Sequence, residues 1–295
     1  MVFTIDILAS ESMGARSMST FLKSTNLSMI IDPGVELAPK RFNLPPHQIE
    51  INKKEELWLK IEKYLKKSDL VAITHYHYDH YNPLATDLLK EKTLFMKDYN
   101  IYINKNQKNR ADILLKNISR INKSEKPSII IADGKELDLE DIHICFSSPV
   151  FHGVNARLGY VIQVFVSDGE KGFLFTSDVE GPSTDEQVKF VIEKSPDILF
   201  VDGPMTYLLG RSYSYLALER SIENLENIMS DTNVKEIIID HHFMRDLKYR
   251  DKIERLYDYS EDLGVKILSA AEFMREENNL LEARRKELYA RDRYA

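Results

Sequence analysis

Three histidines and an aspartate crowd into six residues, directly after the apolar segment LVAI. They belong to the run THYHYDHYNP at 74–83. Side chains alternate faces along an extended chain, so His75, His77 and Asp79 fall on one side where a strand enters a turn. His80 follows as the chain begins to coil. Because imidazole and carboxylate are ligands that zinc and its first-row neighbours accept, the run predicts the beginning of two adjacent metal sites.

The length and composition are those of an ordinary soluble globular protein. The chain has 295 residues, of which 43% are hydrophobic and 29% are charged, and one large domain or two small ones would fit. Its most apolar stretches, such as 158–166, are far shorter than the roughly 20 residues that a membrane helix needs. The N-terminal MVFTIDILASES lacks the positive leader and sustained apolar core of a signal peptide. We therefore expect a cytoplasmic protein without a membrane partner.

Cys145 is the single cysteine of the sequence. One cysteine can form neither an intramolecular disulfide nor a cysteine zinc cluster, so any metal must be held by histidine and carboxylate. Its setting in the alternating apolar run IHICFSSP is typical of a buried, inert thiol. Cysteine catalysis is therefore not expected.

Basic residues are concentrated in one segment, although the net charge of the chain is −7. Residues 92–126 hold nine lysines and arginines against three acidic residues. The segment predicts a helix with Ile113, Leu114, Ile118 and Ile121 facing the core and its basic groups facing outward. Two interpretations stay open: a solvated helix face, or a patch that attracts an anionic substrate such as a phosphate ester or nucleic acid.

Short apolar strands alternate with amphipathic helices, and no repeat or low-complexity linker interrupts them. The predicted strands are 3–8, 27–31, 70–74, 93–96, 128–132, 142–147, 158–166, 172–176, 198–201 and 234–239. The predicted helices are 55–65, 83–89, 107–121, 184–193, 215–229, 250–263 and a charged C-terminal helix at 270–295, either solvated or a dimer contact. The strands 158–166 and 172–176 form the clearest hairpin.

Three further places put a histidine or an aspartate just past a predicted strand. They are His152, Asp178 and the tandem pair His241 and His242. Taken singly, each is as easily a capping or surface residue. Together with the first run, their order resembles the metallo-β-lactamase-fold superfamily of metal-dependent hydrolases. The resemblance covers nearly the whole chain, from Asp32 to His242.

The resemblance implies an α/β fold, a single αββα four-layer sandwich over residues 1–295 with a dinuclear metal site at one edge of the two sheets. By position it implies seven ligands: His75, His77 and His152 for the first metal, Asp79, His80 and His241 for the second, and Asp178 bridging both. It implies two divalent metal ions, with zinc expected and iron or manganese as alternatives. Asp32 would accept a hydrogen bond that supports the histidine loop, and Gly34 suits a tight turn.

The tandem histidines offer two candidates where the superfamily needs one ligand. We prefer His241, directly after the strand, and then expect His242 to contact the substrate or protonate a leaving group; the opposite assignment stays open. Further candidates for substrate contact are Arg245, Tyr207 and Arg211. The string DHH also names an unrelated phosphoesterase family, whose early aspartate clusters this sequence lacks.

Two branches of the superfamily fit poorly. Relatives that process transfer-RNA 3′ ends carry a His-Glu pair where this chain has Asp202 and Gly203, and residues 179–240 leave too little room for the inserted domain of relatives that cleave messenger RNA. The strings DHHFMRD and TSDVEGP instead resemble an uncharacterised, largely archaeal branch. That resemblance brings no substrate with it.

These features predict a metal-dependent hydrolase in which a metal-bound hydroxide attacks an anionic ester or phosphodiester. Asp79 and Asp178 would orient the hydroxide, with His242 as a further catalytic group. The alternatives are a small-molecule acyl hydrolase, such as a lactonase or thioesterase, and a non-catalytic metal-binding protein. A small-molecule or phosphoester substrate is the expected partner, nucleic acid stays open, and the sequence does not indicate the oligomeric state.

Overall fold

A computed structural model describes residues 3–292 and contains two large mixed β-sheets. The first sheet has six strands in the order β1 to β6: β1 Thr4–Ile7, β2 Thr20–Lys23, β3 Ser28–Ile31, β4 Leu70–Ile73, β5 Thr93–Met96 and β6 Ser128–Ile131. The pairs β1–β2 and β2–β3 are antiparallel, and the remaining pairs are parallel. Parallel pairing makes β3 and β4 end at the same edge of the sheet, from which both chains enter loops.

The second sheet has seven strands. Along the chain they are β7 Glu136–Leu139, β8 Ile142–Phe146, β11 Val164–Ser167, β12 Gly172–Phe175, β13 Ile198–Val201, β14 Glu236–Ile239 and β15 Lys266–Leu268, and their order in the sheet is β15-β14-β13-β12-β11-β8-β7. The pairs from β12 to β15 are parallel, and those from β7 to β12 are antiparallel. A separate short pair joins β9 Val150–Phe151 to β10 Tyr160–Val161.

Helices cover the outer faces of both sheets. They are α1 Gln48–Leu65, α2 Lys105–Ser119, α3 Asp185–Lys194, α4 Tyr215–Asp231, α5 Tyr249–Lys252, α6 Glu254–Leu263, α7 Ala270–Phe273 and α8 Arg285–Asp292. Alternation along β13 shows the layering: Ile198 and Phe200 belong to the core between the sheets, which also reaches α1 and α2, whereas Leu199 and Val201 pack toward α3, α4 and α6. The expected αββα sandwich is confirmed. Within residues 3–292, no helix is both long and apolar enough to cross a bilayer.

The predicted strands agree with the observed ones in most places, with two kinds of exception. The strands at 93–96 and 198–201 have the predicted bounds, and β11 and β12 form the predicted hairpin. The predicted strand 158–166 is interrupted at Ile162. The backbone N–H of Ile162 donates to the Thr74 carbonyl, so the chain leaves the sheet at this residue. Four short strands were not predicted, β2, β7, β9 and β15, since they carry too few apolar residues or are too short to show a period.

The predicted helices differ from the observed ones at three places. The helix predicted at 55–65 begins at Gln48, because His47 and Glu50 form a capping box there. The segment 83–89 contains only a short 3₁₀ turn, Thr86–Leu89. The helix predicted at 250–263 is interrupted at Ile253, where φ is −132°.

The C-terminal segment 270–295 is not one charged helix. Within the described residues it forms α7 and α8, and the chain between them is bound to the body of the protein. The backbone N–H of Asn279 donates to Ser12, and the fully buried Arg285 forms two 2.8 Å hydrogen bonds with Glu50. Charges with buried partners resemble surface charges in a sequence, which explains why a single solvated helix was expected here.

The basic segment 92–126 contains β5 and α2, and its helix faces are partly as predicted. Leu114 and Ile118 are buried, as is Ile121 after the helix, but Ile113 is 44% exposed. Buried positions along α2 begin at Gln107 and recur every three or four residues, which leaves Ile113 on the outer side. The expectation that Ile113 faces the core was therefore wrong.

Candidate metal centre

The candidate ligands converge because each follows a strand: three of these strands end at one edge of the two sheets, and the fourth, β9, belongs to the separate short pair. The histidine run follows β4, His152 follows β9, Asp178 follows β12, and His241 follows β14. The carboxyl ends of parallel strands point the same way, so loops distant in sequence meet there. All seven predicted ligands lie in this one region.

The first group consists of the candidate ligands His75, His77, His152 and Asp178. Their potential ligand atoms all lie within 4.8 Å of one another. Nε2 of His152 is 3.3 Å from Oδ2 of Asp178, and Nε2 of His75 is 3.7 Å from the same oxygen. The group therefore offers three imidazoles and a carboxylate around a common space.

The second group consists of Asp79, His80 and His241, again with ligand atoms within 4.8 Å. Asp178 adjoins this group as well, since its Oδ1 is 3.2 Å from Nε2 of His80 and its Oδ2 is 3.6 Å from Nε2 of His241. The seven residues thus lie in two adjoining groups, with Asp178 between them.

Four buried atoms test whether a cation suits this arrangement. Within residues 3–292, Nε2 of His75, His80 and His152 and Oδ1 of Asp178 have no hydrogen-bond partner. A buried polar atom left unpaired costs about 1–3 kcal/mol, so several at one point call for a ligand. Imidazole and carboxylate suit zinc, iron or manganese. The residues present therefore fit divalent metal ions.

Asp32 orients the histidine loop. Its Oδ2 lies 2.8 Å from Nδ1 of His80 and accepts a 2.6 Å hydrogen bond from the Thr74 hydroxyl, while Oδ1 accepts from the Thr74 backbone N–H at 2.8 Å. Binding Nδ1 in this way leaves Nε2 of His80 directed at Asp178. The supporting role expected for Asp32 agrees with these contacts.

Gly34 is required by a close approach of two backbone segments. A Cβ atom at this position would lie 2.2 Å from the backbone nitrogen of Tyr81 and 2.5 Å from the carbonyl carbon of His80. Any side chain would push the histidine loop away. This contact, more than the tight turn expected from the sequence, explains why residue 34 is a glycine.

Four residues at the centre have a left-handed backbone conformation. Asp32, Ser177, Glu180 and His241 have φ between 46° and 60° although none is glycine. Such conformations cost of the order of 1–3 kcal/mol and persist where surrounding contacts determine them. Of the four, His241 is a candidate ligand and Asp32 supports one. Part of the folding free energy therefore offsets the strain that orients these two side chains.

Burial and carboxylates act in opposite directions on the histidines. Burial lowers the pKa of His75 well below its usual value and that of His77 to about 3, which keeps both imidazoles neutral. Burial acts on His80 and His152 too, but Asp178 and neighbouring carboxylates outweigh it and raise both pKa values, to about 10 for His152. A metal ion would replace the protons held there.

The two adjacent histidines have different surroundings. His241 has Nε2 3.6 Å from an oxygen of Asp79, and its Nδ1–H donates to the Ser17 carbonyl at 3.2 Å. His242 instead has Nδ1 2.7 Å from Oδ2 of Asp202. His241 groups with Asp79 and His80 and His242 does not, although both histidines group with Asp178. The geometry therefore favours His241 as ligand.

Asp202 is a functional candidate that the sequence did not identify, because it was read only as a departure from another branch. Its carboxylate holds His242 and also accepts from the backbone N–H groups of Glu180 and Gly181. Burial, reinforced by Asp178, raises the pKa of Asp202 well above its usual value. Its position at the end of β13, at the same sheet edge as the ligands, was the available signal.

A cavity of about 430 Å³ opens beside the two groups. Its lining includes four arginines as well as candidate ligands: Arg16, Arg110, Arg157, Arg245, His77, Asp79, His152 and Asp178, with His242 and Tyr207. The expected substrate contacts Arg245 and Tyr207 are therefore at the cavity, whereas Arg211 is exposed outside its lining. Of the basic segment 92–126, the lining includes Arg110 but neither Lys105 nor Lys108.

Solved structures with the same architecture define the class of fold. The chain superposes on the metallo-β-lactamase fold protein YhfI from Bacillus subtilis with a TM-score of 0.55 and 13% identity, covering 93% of this chain and 96% of that one. It superposes on unliganded yeast PDE1 with a TM-score of 0.58 and 15% identity, covering 91% and 98%. The chain thus has the metallo-β-lactamase fold, as the sequence predicted.

Sequence relatives identify the family. The chain is 46% identical over 283 residues to a UPF0282 protein of Korarchaeum cryptofilum, covering 96% of this chain and 93% of that protein. It is 43% identical over 289 residues to a UPF0282 protein of Saccharolobus solfataricus, covering 97% and 92%. No protein-family profile matches the sequence. The chain belongs to the UPF0282 protein family, and the predicted resemblance to an archaeal branch is confirmed.

Proposed function

We propose that this protein is a metal-dependent hydrolase that acts on a small anionic ester, with a phosphodiester as the leading candidate. The main support is the convergence of seven histidines and aspartates into two groups that share Asp178 and contain buried atoms without partners. The proposed ligands are His75, His77 and His152 for one ion, Asp79, His80 and His241 for another, and Asp178 for both. We propose zinc for both ions, with iron or manganese as alternatives.

Bound divalent ions would supply Lewis acidity and lower the pKa of water toward neutrality. The protein supplies orientation and proton transfer. Asp79 and Asp178 lie at the cavity wall beside the imidazoles, where they can orient the attacking hydroxide by accepting its hydrogen bond. His242 lines the same cavity, and its contact with Asp202 fixes the ring. Burial and Arg245 lower the pKa of His242 whereas burial raises that of Asp202, so the pair holds its proton on the Asp202 side and can pass one through the ring to a leaving oxygen.

The lining of the cavity supports an anionic substrate. Two of its four carboxylates, Asp79 and Asp178, would be neutralised by bound metal. Of the other two, Glu36 pairs with Lys54 at 2.7 Å, which leaves Glu180, 3.6 Å from Nδ1 of the then neutral His152, as one negative charge against four arginines. The arginines of the lining then dominate the charge. A volume of about 430 Å³ is in the range typical of small-molecule sites.

The second candidate is a small-molecule acyl hydrolase, such as a lactonase or thioesterase. Apolar side chains in the same lining favour it: Leu37, Pro39, Leu158, Met205 and Leu208. A neutral acyl substrate would use these surfaces and leave the arginines without a partner. The two candidates therefore differ in how strongly activity depends on substrate charge.

Metal analysis combined with a substrate panel tests the proposal. The purified protein should carry zinc, iron or manganese by mass spectrometry, directly or after reconstitution, and should hydrolyse bis(p-nitrophenyl) phosphate faster than neutral lactones and thioesters. Asp178→Ala should lose metal and activity together. Asp258→Ala, an exposed residue on α6, is the matched control and should change neither. Protein that takes up none of these metals would refute the proposal.

A further inference from the structure

We propose that Arg245 and Arg16 form a binding site for the non-bridging oxygens of a phosphate group, which makes the substrate a phosphate ester. The inference rests on the proposed function, because it assigns a substrate class to the same cavity. Both side chains line that cavity. They belong to a cluster of three arginines and two glutamates, here called the arginine cluster: Glu11, Arg16, Arg41, Arg245 and Glu282.

Buried carboxylates hold the two arginines in place. Glu282 accepts hydrogen bonds from Nε and Nη2 of Arg16 at 2.6 and 2.7 Å, and Glu11 accepts one from Nε of Arg245 at 3.0 Å. Glu11, Glu282 and Arg245 are each less than 5% exposed. Two-point pairing of a guanidinium with a carboxylate fixes its plane. The arginines therefore reach the cavity with little freedom to move.

The arginine cluster has more positive than negative charge. Three guanidiniums, those of Arg16, Arg41 and Arg245, face the carboxylates of Glu11 and Glu282, with Arg41 Nε 3.9 Å from Glu282. Burial and the neighbouring Glu282 also raise the pKa of Glu11 to about 7, so its negative charge is incomplete at neutral pH. A buried excess charge is costly unless a counterion compensates it. An anion in the cavity would provide that compensation.

Arg245 also connects the cluster to the metal centre. Its Nη2 donates to Nε2 of His241 at 3.0 Å, and its Nη1 lies 3.4 Å from the Tyr207 hydroxyl. Nε2 of His241 is the atom proposed to bind metal, and an ion there would remove this hydrogen bond. Nη2 of Arg245 would then need another acceptor beside the ion. A phosphate oxygen offers a charged acceptor at that position.

The other two arginines of the lining are less suited to fix a phosphate. Arg157 is exposed, and Arg110 is half-buried with its guanidinium 4.9 Å from the ring centre of Tyr78. Exposed side chains of this length attract an anion without determining its orientation. The buried carboxylates that hold Arg245 and Arg16 select these two as the binding pair.

Calorimetric titration of the zinc-loaded full-length protein with inorganic phosphate tests the proposal. Arg245→Met should weaken phosphate binding by roughly 10- to 100-fold, and Arg16→Met by roughly tenfold. Lys108→Met removes one positive charge from α2 outside the cavity and should leave the dissociation constant within about twofold. Zinc content, measured in every sample, should stay at the wild-type value in all three variants.

A second arm compares substrates and includes a milder variant. Arg245→Met should lower kcat/KM for bis(p-nitrophenyl) phosphate much more than for p-nitrophenyl acetate. Arg245→Lys keeps the charge but not the planar fork, so it should fold where the methionine variant fails and show an intermediate loss. If the arginine variants bind phosphate like the wild type while hydrolysis depends on metal, only the present inference is overturned. If neither metal uptake nor hydrolysis occurs, the proposed function itself fails.

Discussion

The cavity has two halves that are built by different means. The metal half is formed by the seven candidate ligands, and the arginine half by the arginine cluster. The metal half takes its residues from loops that directly follow strands, so the sheets themselves bring His75, Asp178 and His241 together. The arginine half takes Glu11 and Glu282 from segments far apart in the chain and joins them through Arg16 and Arg245. Backbone topology positions the first set, and ion pairs between side chains position the second.

The two halves also favour ligands of opposite charge. Buried imidazole and carboxylate atoms without partners in the metal half favour cations, whereas the excess of guanidinium in the arginine half favours an anion. His241 and Arg245 share one hydrogen bond at the boundary between them. Occupation of one half should therefore influence the other, and variants on each side can show whether the halves are separable.

The largest expected effect comes from replacing each of the two adjacent histidines in turn. His241→Ala should lose metal and lower kcat/KM by roughly a thousandfold, because it removes a proposed ligand beside Asp178. His242→Ala should keep its metal and lose roughly a hundredfold, the usual contribution of one proton donor. Metal content by mass spectrometry and steady-state kinetics on the same samples check both.

His143→Ala is the matched control for this pair. His143 lies on β8, contacts Asp138 and Glu136 and is outside the candidate centre. It should leave the kinetics unchanged, and any metal that it loses would come from the separate group of Glu136, His143 and Cys145. Loss of metal from His242→Ala with retention in His241→Ala would reverse the assignment of ligand and proton donor.

A smaller effect is expected from Asp32→Asn. Asparagine keeps the shape of the side chain but presents an amide to His80, so Nδ1 of the ring loses its charged acceptor. Metal affinity should fall by roughly 10- to 100-fold in a competition with a chelator. Asp69→Asn is the control, since Asp69 accepts hydrogen bonds from Ser28 near the start of β4, away from the centre. Equal losses in both variants would mean that Asp32 acts through stability alone.

The metal half could be predicted from the sequence for a physical reason. A strand has a period of two and ends at a sheet edge, so the spacing of His75, His77 and Asp79 already determines which side chains share a face. The same reasoning placed His152 and Asp178 at strand ends. The αββα class was implied by the family resemblance that this ordered set of residues carries, and the structure confirms it.

The arginine half could not be predicted, because pairing between distant side chains leaves no period. Glu282 lies in a charged segment that suggested a solvated helix, yet it is 3% exposed and binds Arg16. The sequence makes Arg245 a candidate only because it lies close to His241 in the chain, and it does not indicate the contact of Arg245 with Glu11. Asp202 was likewise missed, since its contact with His242 depends on how β13 and β14 pair.

The smallest expected effect is the contribution of the arginine half, through Glu11, to the pH dependence of the free energy of unfolding. Burial and Glu282 raise the pKa of Glu11 to about 7 from its usual 4.5, despite the opposing charges of Arg245 and Arg16. Between these values the folded protein binds a proton that the unfolded chain does not, so the free energy of unfolding should fall as pH rises from about 4.5 to 7. The slope from this group is at most about 1.4 kcal/mol per pH unit. Glu11→Gln should remove that part of the slope in denaturant titrations, and an unchanged slope would show that Glu11 is already ionised.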